Sequence, residues 1–317
     1  MLAGIAVASP NMAIAQASPA VRRIGVLDSG TRDAPQELRQ AEALRKLGWV
    51  EGQNLHVERR YDDGRSEALP ALADELVRAK VEIIVTLGSP ATLAAKRATT
   101  TIPIVFSAGD PVLLGLVASL ARPGGNLTGI SQTSPEVTAK YLSVLKELLP
   151  RIQRIGVLWE VGHPYWRATR GQFEHVCQSL GLAPIIVEVS AAGEIGGAIA
   201  QLKGQHAQAL VVGVGGFVWD HRLEIVDAAT TQRLPTITDD TEFARAAGTL
   251  IAYSRSQVEH ERLHAEYIDR VLRGAKPADL PVQQPTKFEL VINLKTARAL
   301  GLAIPKELLL RADEVIQ

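Results

Sequence analysis

The sequence predicts an α/β protein built from two doubly wound parallel sheets joined by a hinge. Short apolar segments alternate with stretches of helical periodicity, and most of these segments lack the apolar–polar alternation of a sheet with one wet face. The pattern starts again near residue 154, where RIGVLW at 154–159 echoes RIGVLD at 23–28. The length of 317 residues is about twice that of an average domain. These observations together predict two Rossmann-like lobes of similar size.

The first lobe is predicted to hold five strands. Apolar segments predict strands at 24–27, 55–59, 83–85, 104–106 and 127–130. Helical spacing predicts helices at 38–47, 69–77, 90–98 and 113–120. Continuous apolar strands separated by helices favour a parallel sheet that is covered on both faces.

The second lobe repeats the arrangement. A helix is predicted at about 166–180, and strands are predicted at 154–159, 185–189, 210–214, 236–238 and 250–253. Ligands of such sheets bind beyond the carboxyl ends of the strands. With two sheets facing each other, the expected binding site is the cleft between the lobes.

Residues 1–20 resemble a processed leader. An apolar run at 2–8 precedes the small residues of 13–17, as in the apolar and cleavage regions of a secretory signal, although a basic head is lacking. A disordered tail before the first strand is the alternative. We expect an exported, periplasmic, soluble protein, because no later apolar run reaches the length that crosses a bilayer.

Composition excludes several classes of function. Lys and Arg number 34, as do Asp and Glu, and the charges are also balanced on either side of Thr133. Binding to a phosphate backbone demands a basic excess, so nucleic acid is not an expected partner. A single cysteine rules out a disulfide framework and a thiolate zinc site. We expect no metal and no cofactor.

Polar residues at the strand ends of the first lobe are the first candidate ligand contacts. They are Asp28, Ser29, Gly88, Ser89, Asp110 and Pro111. Ser89 precedes a proline that suits a first helical position, so it is predicted to be an N-cap beside free backbone donors. A helix N-terminus with a hydroxyl can receive a carboxylate. Two structural alternatives stay open: Ser89 only caps its helix, and Asp110 only starts a turn.

The second lobe supplies Trp159, Trp219, Asp239 and Asp240 at its predicted strand ends. Two tryptophans at such positions are unusual in a chain with 4% aromatic residues. They suggest a flat or apolar ligand body between rings, with packing at the rim as the alternative. Asp239 or Asp240 is then the candidate partner of an ammonium group.

Three enzyme-like patterns carry little weight. His260-Glu261-Arg262-Leu263-His264 fits a zinc-peptidase motif, but the helix continues as a core stripe. The glycines at 213, 215 and 216 follow a strand without completing the dinucleotide fingerprint. Cys177 shares helical spacing with apolar residues, which indicates core packing.

Three longer motifs carry a resemblance to a known family. They lie at 110–112 with 115–129 (ending in ARPGGNLTG), at 274–282 (GAKPADLPV) and from 285 to 305 (beginning PTKFELVINLKTA). They resemble the substrate-binding proteins of ABC transporters, in the family that includes tryptophan- and tyrosine-type binding components. The match covers nearly all of the chain after the leader, although 159–163 and 252–254 depart from the usual pattern.

The resemblance implies a type I periplasmic binding fold with three hinge crossings, and a small ligand clamped between the lobes. It also implies delivery to a permease and an ATPase on separate chains. Characterised members bind aromatic amino acids or similar carboxylates, and Ser89 matches the helix terminus that would receive the carboxylate. We expect a monomer with a first lobe of 21–131 plus about 255–281 and a second of 132–254 plus about 282–317.

The alternative from another class is a two-lobe α/β enzyme, such as a transferase, acting in the same cleft. Asp110, His163 and Asp239 could supply an acid and a base for such a reaction. Chemical change of a bound ligand would favour this interpretation.

Overall fold

The computed structural model describes residues 21–32, 34–132, 135–213 and 215–317. The predicted leader, 1–20, lies outside these residues. The first part of the chain alternates strands and helices. Its elements are β1 (Arg22–Asp28), α1 (Ala34–Lys46), β2 (Leu55–Tyr61), α2 (Leu69–Arg78), β3 (Ile83–Leu87), α3 (Ser89–Ala98), β4 (Ile104–Ala108) and β5 (Leu127–Ser131). The five strands form one parallel sheet in the order β2-β1-β3-β4-β5.

The middle of the chain builds most of a second sheet. Its elements are α4 (Pro135–Leu148), β6 (Arg154–Glu160), α5 (Pro164–Ser179), β7 (Ala183–Val189), α6 (Ile195–Gly204), β8 (Ala209–Val212), α7 (Gly216–Asp220), α8 (Arg222–Thr231), β9 (Thr236–Thr238) and β10 (Ile251–Arg255). A short π-helical turn at Phe243–Ala247 precedes β10. Neighbouring strands of this part are parallel.

The last part of the chain contributes to both sheets. It contains α9 (Gln257–Leu272), β11 (Phe288–Asn293), α10 (Leu294–Leu300), α11 (Lys306–Arg311) and β12 (Glu314–Ile316). Helix α9 packs on the first sheet, whereas β11 pairs antiparallel with β10 and carries β12 at the sheet edge. The second sheet therefore has seven strands in the order β12-β11-β10-β9-β8-β6-β7. The predicted α/β architecture of two facing sheets is confirmed, and β11 and β12 are additions to it.

A glycine in each first strand explains the repeated sequence pattern. A Cβ at Gly25 in β1 would lie 2.9 Å from Leu76 of α2, and a Cβ at Gly156 in β6 would lie 3.0 Å from Leu202 of α6. The missing side chains let a helix pack closely on the strand at the same place in both sheets. The repeat at 23–28 and 154–159 is thus a repeat of packing geometry.

The chain passes between the sheets at three places. It leaves the first sheet after β5 and enters α4, which packs on the second sheet. It returns at Ser256, between β10 and α9. Gln283 still pairs with Ile130 next to β5, so the third passage lies at 284–287, before β11 begins. None of the helices in the described ranges is long and apolar enough to cross a bilayer.

The predicted helix at 113–120 is wrong. Its apolar residues form consecutive turns, in which the N–H of Leu116 donates to Pro111 and the N–H of Ala118 donates to Pro123. Gly115 adopts a left-handed φ of 64°, which interrupts any regular helix here. Leu116 is nevertheless buried in the core, so its apolar character reflects packing.

Cys177 lies where helical spacing predicts it. The residue is free and fully buried in the core that covers one face of the second sheet. Burial raises the pKa of its thiol to about 12, so the reactive thiolate is scarce at neutral pH. The interpretation of Cys177 as a core residue is confirmed.

Candidate functional site

A cavity lies between the carboxyl ends of the two sheets. Its volume is about 170 Å³, close to that of a cavity of about 150 Å³ that binds one benzene ring. Both sheets and the crossing segments contribute to its wall. This is the place where ligands of doubly wound sheets bind.

The first sheet supplies Asp28 and Ser29 from the end of β1, and Gly88 and Ser89 from the start of α3. All four were predicted as ligand contacts, and all four line the cavity. Gly88 has a φ of 91°, and a Cβ there would lie 2.0 Å from the hydroxyl of Ser29. Glycine at this position therefore lets β3 turn directly into α3 beneath the cavity floor.

The predicted N-cap role of Ser89 is wrong. Gly88 occupies the N-cap position and Ser89 is the first helical residue. The Ser89 hydroxyl oxygen instead accepts the N–H of Gly109 at 3.1 Å, which fixes the loop after β4. Ser89 also lines the cavity, where its own O–H remains a donor.

A hydrogen-bond chain crosses the cavity wall between β4 and α9. The side-chain amide of Gln132 donates to the hydroxyl oxygen of Ser107, which lies 3.0 Å from Nε2 of His260. The Ser107 hydroxyl can be the donor or the acceptor in its contact with Nε2, according to the tautomer of the ring. Burial lowers the pKa of His260 well below its ordinary value, so the ring is neutral at pH 7.

The second sheet supplies an aromatic wall. Trp219 packs edge-on against Phe243 with ring centroids 5.6 Å apart, and both side chains line the cavity. Tyr165, from the first turn of α5, adds a third ring. Asp240, which follows β9, provides a carboxylate in the same wall. Trp219 and Asp240 therefore lie where the sequence placed them.

Direct contacts between the two lobes border the cavity, which is partly open to solvent. The hydroxyl of Thr31 donates to Asp220 at 2.6 Å. Backbone packs on backbone beside this bond, because a Cβ at Gly216 would lie 2.1 Å from the carbonyl oxygen of Ser29. At another point, a Cβ at Gly109 would lie 2.3 Å from the ring of Tyr165. Glycines thus allow the two halves of the molecule to meet.

The prediction that Trp159 faces the cleft is wrong. Its side chain is 1% exposed, stacks on Trp166 with ring centroids 4.8 Å apart, and contacts Phe173 edge-on. A strand of a sheet that is covered on both faces buries both sets of its side chains, so a position near the strand end does not by itself point into the cleft. Trp159 belongs to the core of the second lobe.

Three further predicted contacts, Asp110, Pro111 and Asp239, do not line the cavity. Asp110 accepts the N–H groups of Val112 and Leu113, both at 3.0 Å, as a residue that starts a turn does. Asp239 lies beside Asp240, and burial together with the charge of Asp240 raises its pKa to about 7.

The two histidines of the His-Glu-x-x-His segment face inward from α9. Their rings are stacked with centroids 5.9 Å apart, and His264 is fully buried beneath His260. The described part of the chain contains no group of three His, Cys, Asp or Glu residues arranged to hold a metal ion. Within this segment, His260 and Glu261 line the cavity.

Sequence reasoning missed the charged residues contributed by helices and the hinge. Arg255 ends β10, Arg39 projects from α1 and Glu261 from α9, and all three line the cavity. Arg39 pairs with Glu261 at 3.8 Å. Arg255 could have been found from the sequence, because the chain was expected to return to the first lobe at about residue 255. Arg39 has no such signal, because it reaches the site only through the packing of α1 on α9.

A cluster of carboxylates spans the two lobes next to the cavity. Asp62 follows β2, whereas Glu160 ends β6 and Asp220 ends α7. Burial, and then repulsion by Asp62 and Asp220, raises the pKa of Glu160 to about 7, while the N–H of Phe217 opposes the shift. The neighbouring His163 is neutral at pH 7, because burial lowers its pKa to about 4.

The raised pKa of Glu160 predicts a stability that falls with rising pH. The native state binds the Glu160 proton more tightly than the unfolded chain does, so the stabilisation is full below the ordinary pKa of about 4.5 and falls until the pH has passed about 7. The part that is lost between pH 6 and pH 8 is about 1 kcal/mol. Asp239 acts in the same direction. We expect the fall in Tm between pH 6 and 8 to be smaller in Glu160→Gln by about 2–4 °C. Equal falls in the two proteins, measured by thermal unfolding, would contradict the assignment.

The fold and the cavity together define a two-lobe protein of the binding-protein type, with a cavity between facing sheets. A family model described as "ABC transporter substrate binding protein" matches residues 23–316. The chain belongs to this family, whose members are substrate-binding components of ABC transporters rather than enzymes. The family resemblance inferred from the sequence motifs is confirmed.

One curated protein and two solved structures are similar to this chain over most of its length. A tyrosine-binding protein from Clostridioides difficile (strain R20291) is 26% identical over 265 residues, which cover 82% of this chain and 75% of the relative. The structure of an ABC domain in complex with L-Trp from Streptococcus pneumonia has a TM-score of 0.86 at 24% identity, covering 94% of this chain and 100% of that one. A ligand-free, open structure of a substrate-binding protein with adhesive properties from Clostridium difficile has a TM-score of 0.66 at 22% identity, with coverages of 94% and 100%.

Proposed function

We propose that this protein is the periplasmic solute-binding component of an ABC import system. It binds a small carboxylate, an aromatic amino acid or a related aromatic or branched acid, between its two lobes. The observation that carries this proposal is the cavity between the two sheets, whose wall combines polar groups of the first sheet with aromatic residues of the second. A site assembled from two lobes couples ligand binding to closure of the lobes.

The proposed ligand follows from the chemistry of the cavity wall. Trp219 is the half-buried ring of the cavity wall, and Phe243 and Tyr165 are buried aromatic residues of the same lining, so the wall suits an apolar or flat body. Asp240 offers a carboxylate to an ammonium group. The relatives that bind tyrosine and L-Trp support an aromatic amino acid as the first class to test.

The transport role rests on the family. We propose that the ligand-loaded protein delivers its solute to a permease and an ATPase on separate chains, and that it acts as an exported monomer. We further propose lobe boundaries of 21–131 plus about 255–281 and 132–254 plus about 282–317, with the three crossings serving as the hinge. Binding then shifts an equilibrium between open and closed lobes through contacts that exist only when they are closed.

The enzyme alternative finds no support in the geometry. Of Asp110, His163 and Asp239, only His163 lines the cavity, and Asp110 is engaged in its own turn. An acid and a base that do not face one space cannot act on one substrate.

A thermal-shift panel tests the proposed function. We expect an aromatic amino acid, an aromatic acid or a branched amino acid at about 100 times its Kd to raise the Tm by about 5–10 °C. Native mass spectrometry of freshly purified protein identifies any retained solute. A panel without any shift would contradict the ligand class, and recovery of a chemically altered ligand would contradict the binding role.

A further inference from the structure

Arg255 occupies an unusual place in the fold. It is the last residue of β10, and Ser256 directly after it leads into α9 on the other sheet. Its backbone is held opposite Phe288 in the antiparallel pair of β10 with β11. Its side chain lines the cavity. A guanidinium at this point is supported by a strand and lies at a crossing between the lobes.

The guanidinium of Arg255 has no direct ion-pair partner among the described residues. No carboxylate oxygen of the described residues lies within 4.0 Å of its nitrogens, and its side chain makes no hydrogen bond within the described ranges. Its Nε is buried without a partner. The acidic groups that attract it, Asp240, Asp239 and Glu261, act from a greater distance.

The other basic residues of the cavity wall are accounted for. Arg39 forms an ion pair of 3.8 Å with Glu261, although its Nε, like that of Arg255, is buried without a hydrogen-bond partner among the described residues. His260 and His163 are neutral at pH 7, because burial lowers the pKa of both rings. Among the described residues that line the cavity, Arg255 is thus the cation without an ion-pair partner.

A half-buried cation without a direct partner is costly in the ligand-free protein, because it gives up part of its hydration and gains no paired carboxylate in exchange. Such a group persists where a ligand supplies the paired charge. A guanidinium offers paired N–H donors that match the two oxygens of a carboxylate. The hydroxyl of Ser89 accepts the N–H of Gly109 and keeps its own O–H as a donor, so Ser89 can add one neutral hydrogen bond to the same carboxylate.

We propose that Arg255 receives the carboxylate of the ligand and is the main determinant of specificity for anionic solutes. This inference rests on the proposed function, since it assigns a residue to the ligand group that the function requires. It places the anionic end of the ligand at the hinge crossing, next to Asp240. An α-amino acid carries both charges on one carbon, so its carboxylate and ammonium groups can be received by Arg255 and Asp240 together.

A charge-deletion series tests the assignment. The probes are L-tryptophan, L-tyrosine and L-phenylalanine, with 3-phenylpropionate lacking the amine and phenethylamine lacking the carboxylate. Their affinities are measured by calorimetry on the wild type, Arg255→Gln, Arg255→Lys and Arg167→Gln. The last is a matched control, because Arg167 is exposed on α5.

We expect Arg255→Gln to weaken the binding of carboxylate probes by about 30-fold or more. Arg255→Lys is expected to weaken it less, because the charge remains without the paired donors. Phenethylamine is expected to bind the wild type and Arg255→Gln within about threefold, and Arg167→Gln to match the wild type throughout. A carboxylate probe that binds the wild type and Arg255→Gln equally overturns the inference and leaves the proposed function intact.

A second readout is independent of the ligand. Arg255→Gln removes a half-buried charge and also removes its attraction to Asp240, Asp239 and Glu261, so we expect the ligand-free Tm to stay within about 2 °C of that of the wild type. A larger fall, with Arg167→Gln unchanged, would show that Arg255 is needed for the fold and would overturn the inference. If no carboxylate of the panel binds the wild type, the proposed ligand class and this inference both fail.

Discussion

Alanine at position 216 is expected to abolish high-affinity ligand binding while leaving the fold intact. Gly216 begins α7 in the second lobe and packs on the backbone of Ser29 in the first. A Cβ there would lie 2.1 Å from the Ser29 carbonyl oxygen and 2.9 Å from its carbonyl carbon. The backbone of Ser29 is held in place, because its N–H donates to the carbonyl oxygen of Leu87 at 3.1 Å.

The conflict caused by Gly216→Ala exists only when the lobes touch. The φ of Gly216 lies outside the left-handed region, so alanine does not strain its own backbone. The variant therefore folds, but its closed state becomes less populated, and apparent affinity falls in proportion. We expect a Kd roughly 100-fold weaker, equivalent to about 2.7 kcal/mol. The Kd is measured by calorimetry with the ligand that the thermal-shift panel identifies.

Gly171→Ala is the matched control for this substitution. Gly171 lies in α5, and a Cβ there would meet nothing within 4 Å. Alanine inside a helix is favoured over glycine, so this variant is expected to bind normally and to be slightly more stable. Small-angle scattering in saturating ligand separates the two proteins further, since only the control should become more compact. Normal affinity in Gly216→Ala would show that binding does not require the contact between Ser29 and Gly216.

The fold could be predicted because its signals are local. Apolar strands such as 83–85 and 104–106 are recognised within a few residues, and the repeated glycines at 25 and 156 mark the duplication directly. Errors arose where apolar residues are buried without regular structure. The run at 113–120 is apolar because Leu116 packs in the core, while Gly115 prevents a helix.

The candidate site could be predicted only in part. Strand ends identify Asp28, Ser29 and Asp240, since their position follows from the order of the elements. Arg39 and Glu261 come from helices far apart in sequence that meet only because α9 returns to the first sheet. Such residues have no local signal. A residue-level prediction of the site therefore required the path of the chain between the sheets.

The two tryptophans predicted for the cleft are expected to behave in opposite ways when substituted. Trp159 is buried against Trp166 and Phe173, so Trp159→Ala creates a cavity in the core and costs about 3–5 kcal/mol. This corresponds to a fall in Tm of about 10 °C. Trp219 is partly exposed to the cavity, so Trp219→Ala is expected to lower the Tm far less.

Ligand-induced shifts then separate stability from binding. Trp159→Phe keeps an aromatic ring in the core and removes an indole N–H that has no partner among the described residues. We expect it to retain the full ligand-induced rise in Tm, whereas Trp219→Ala loses most of that rise because the ligand loses an aromatic wall. The reverse pattern, with binding lost in Trp159→Phe and kept in Trp219→Ala, would reassign the two rings. Because both variants are compared as shifts from their own baselines, a change in overall stability cannot imitate a loss of binding.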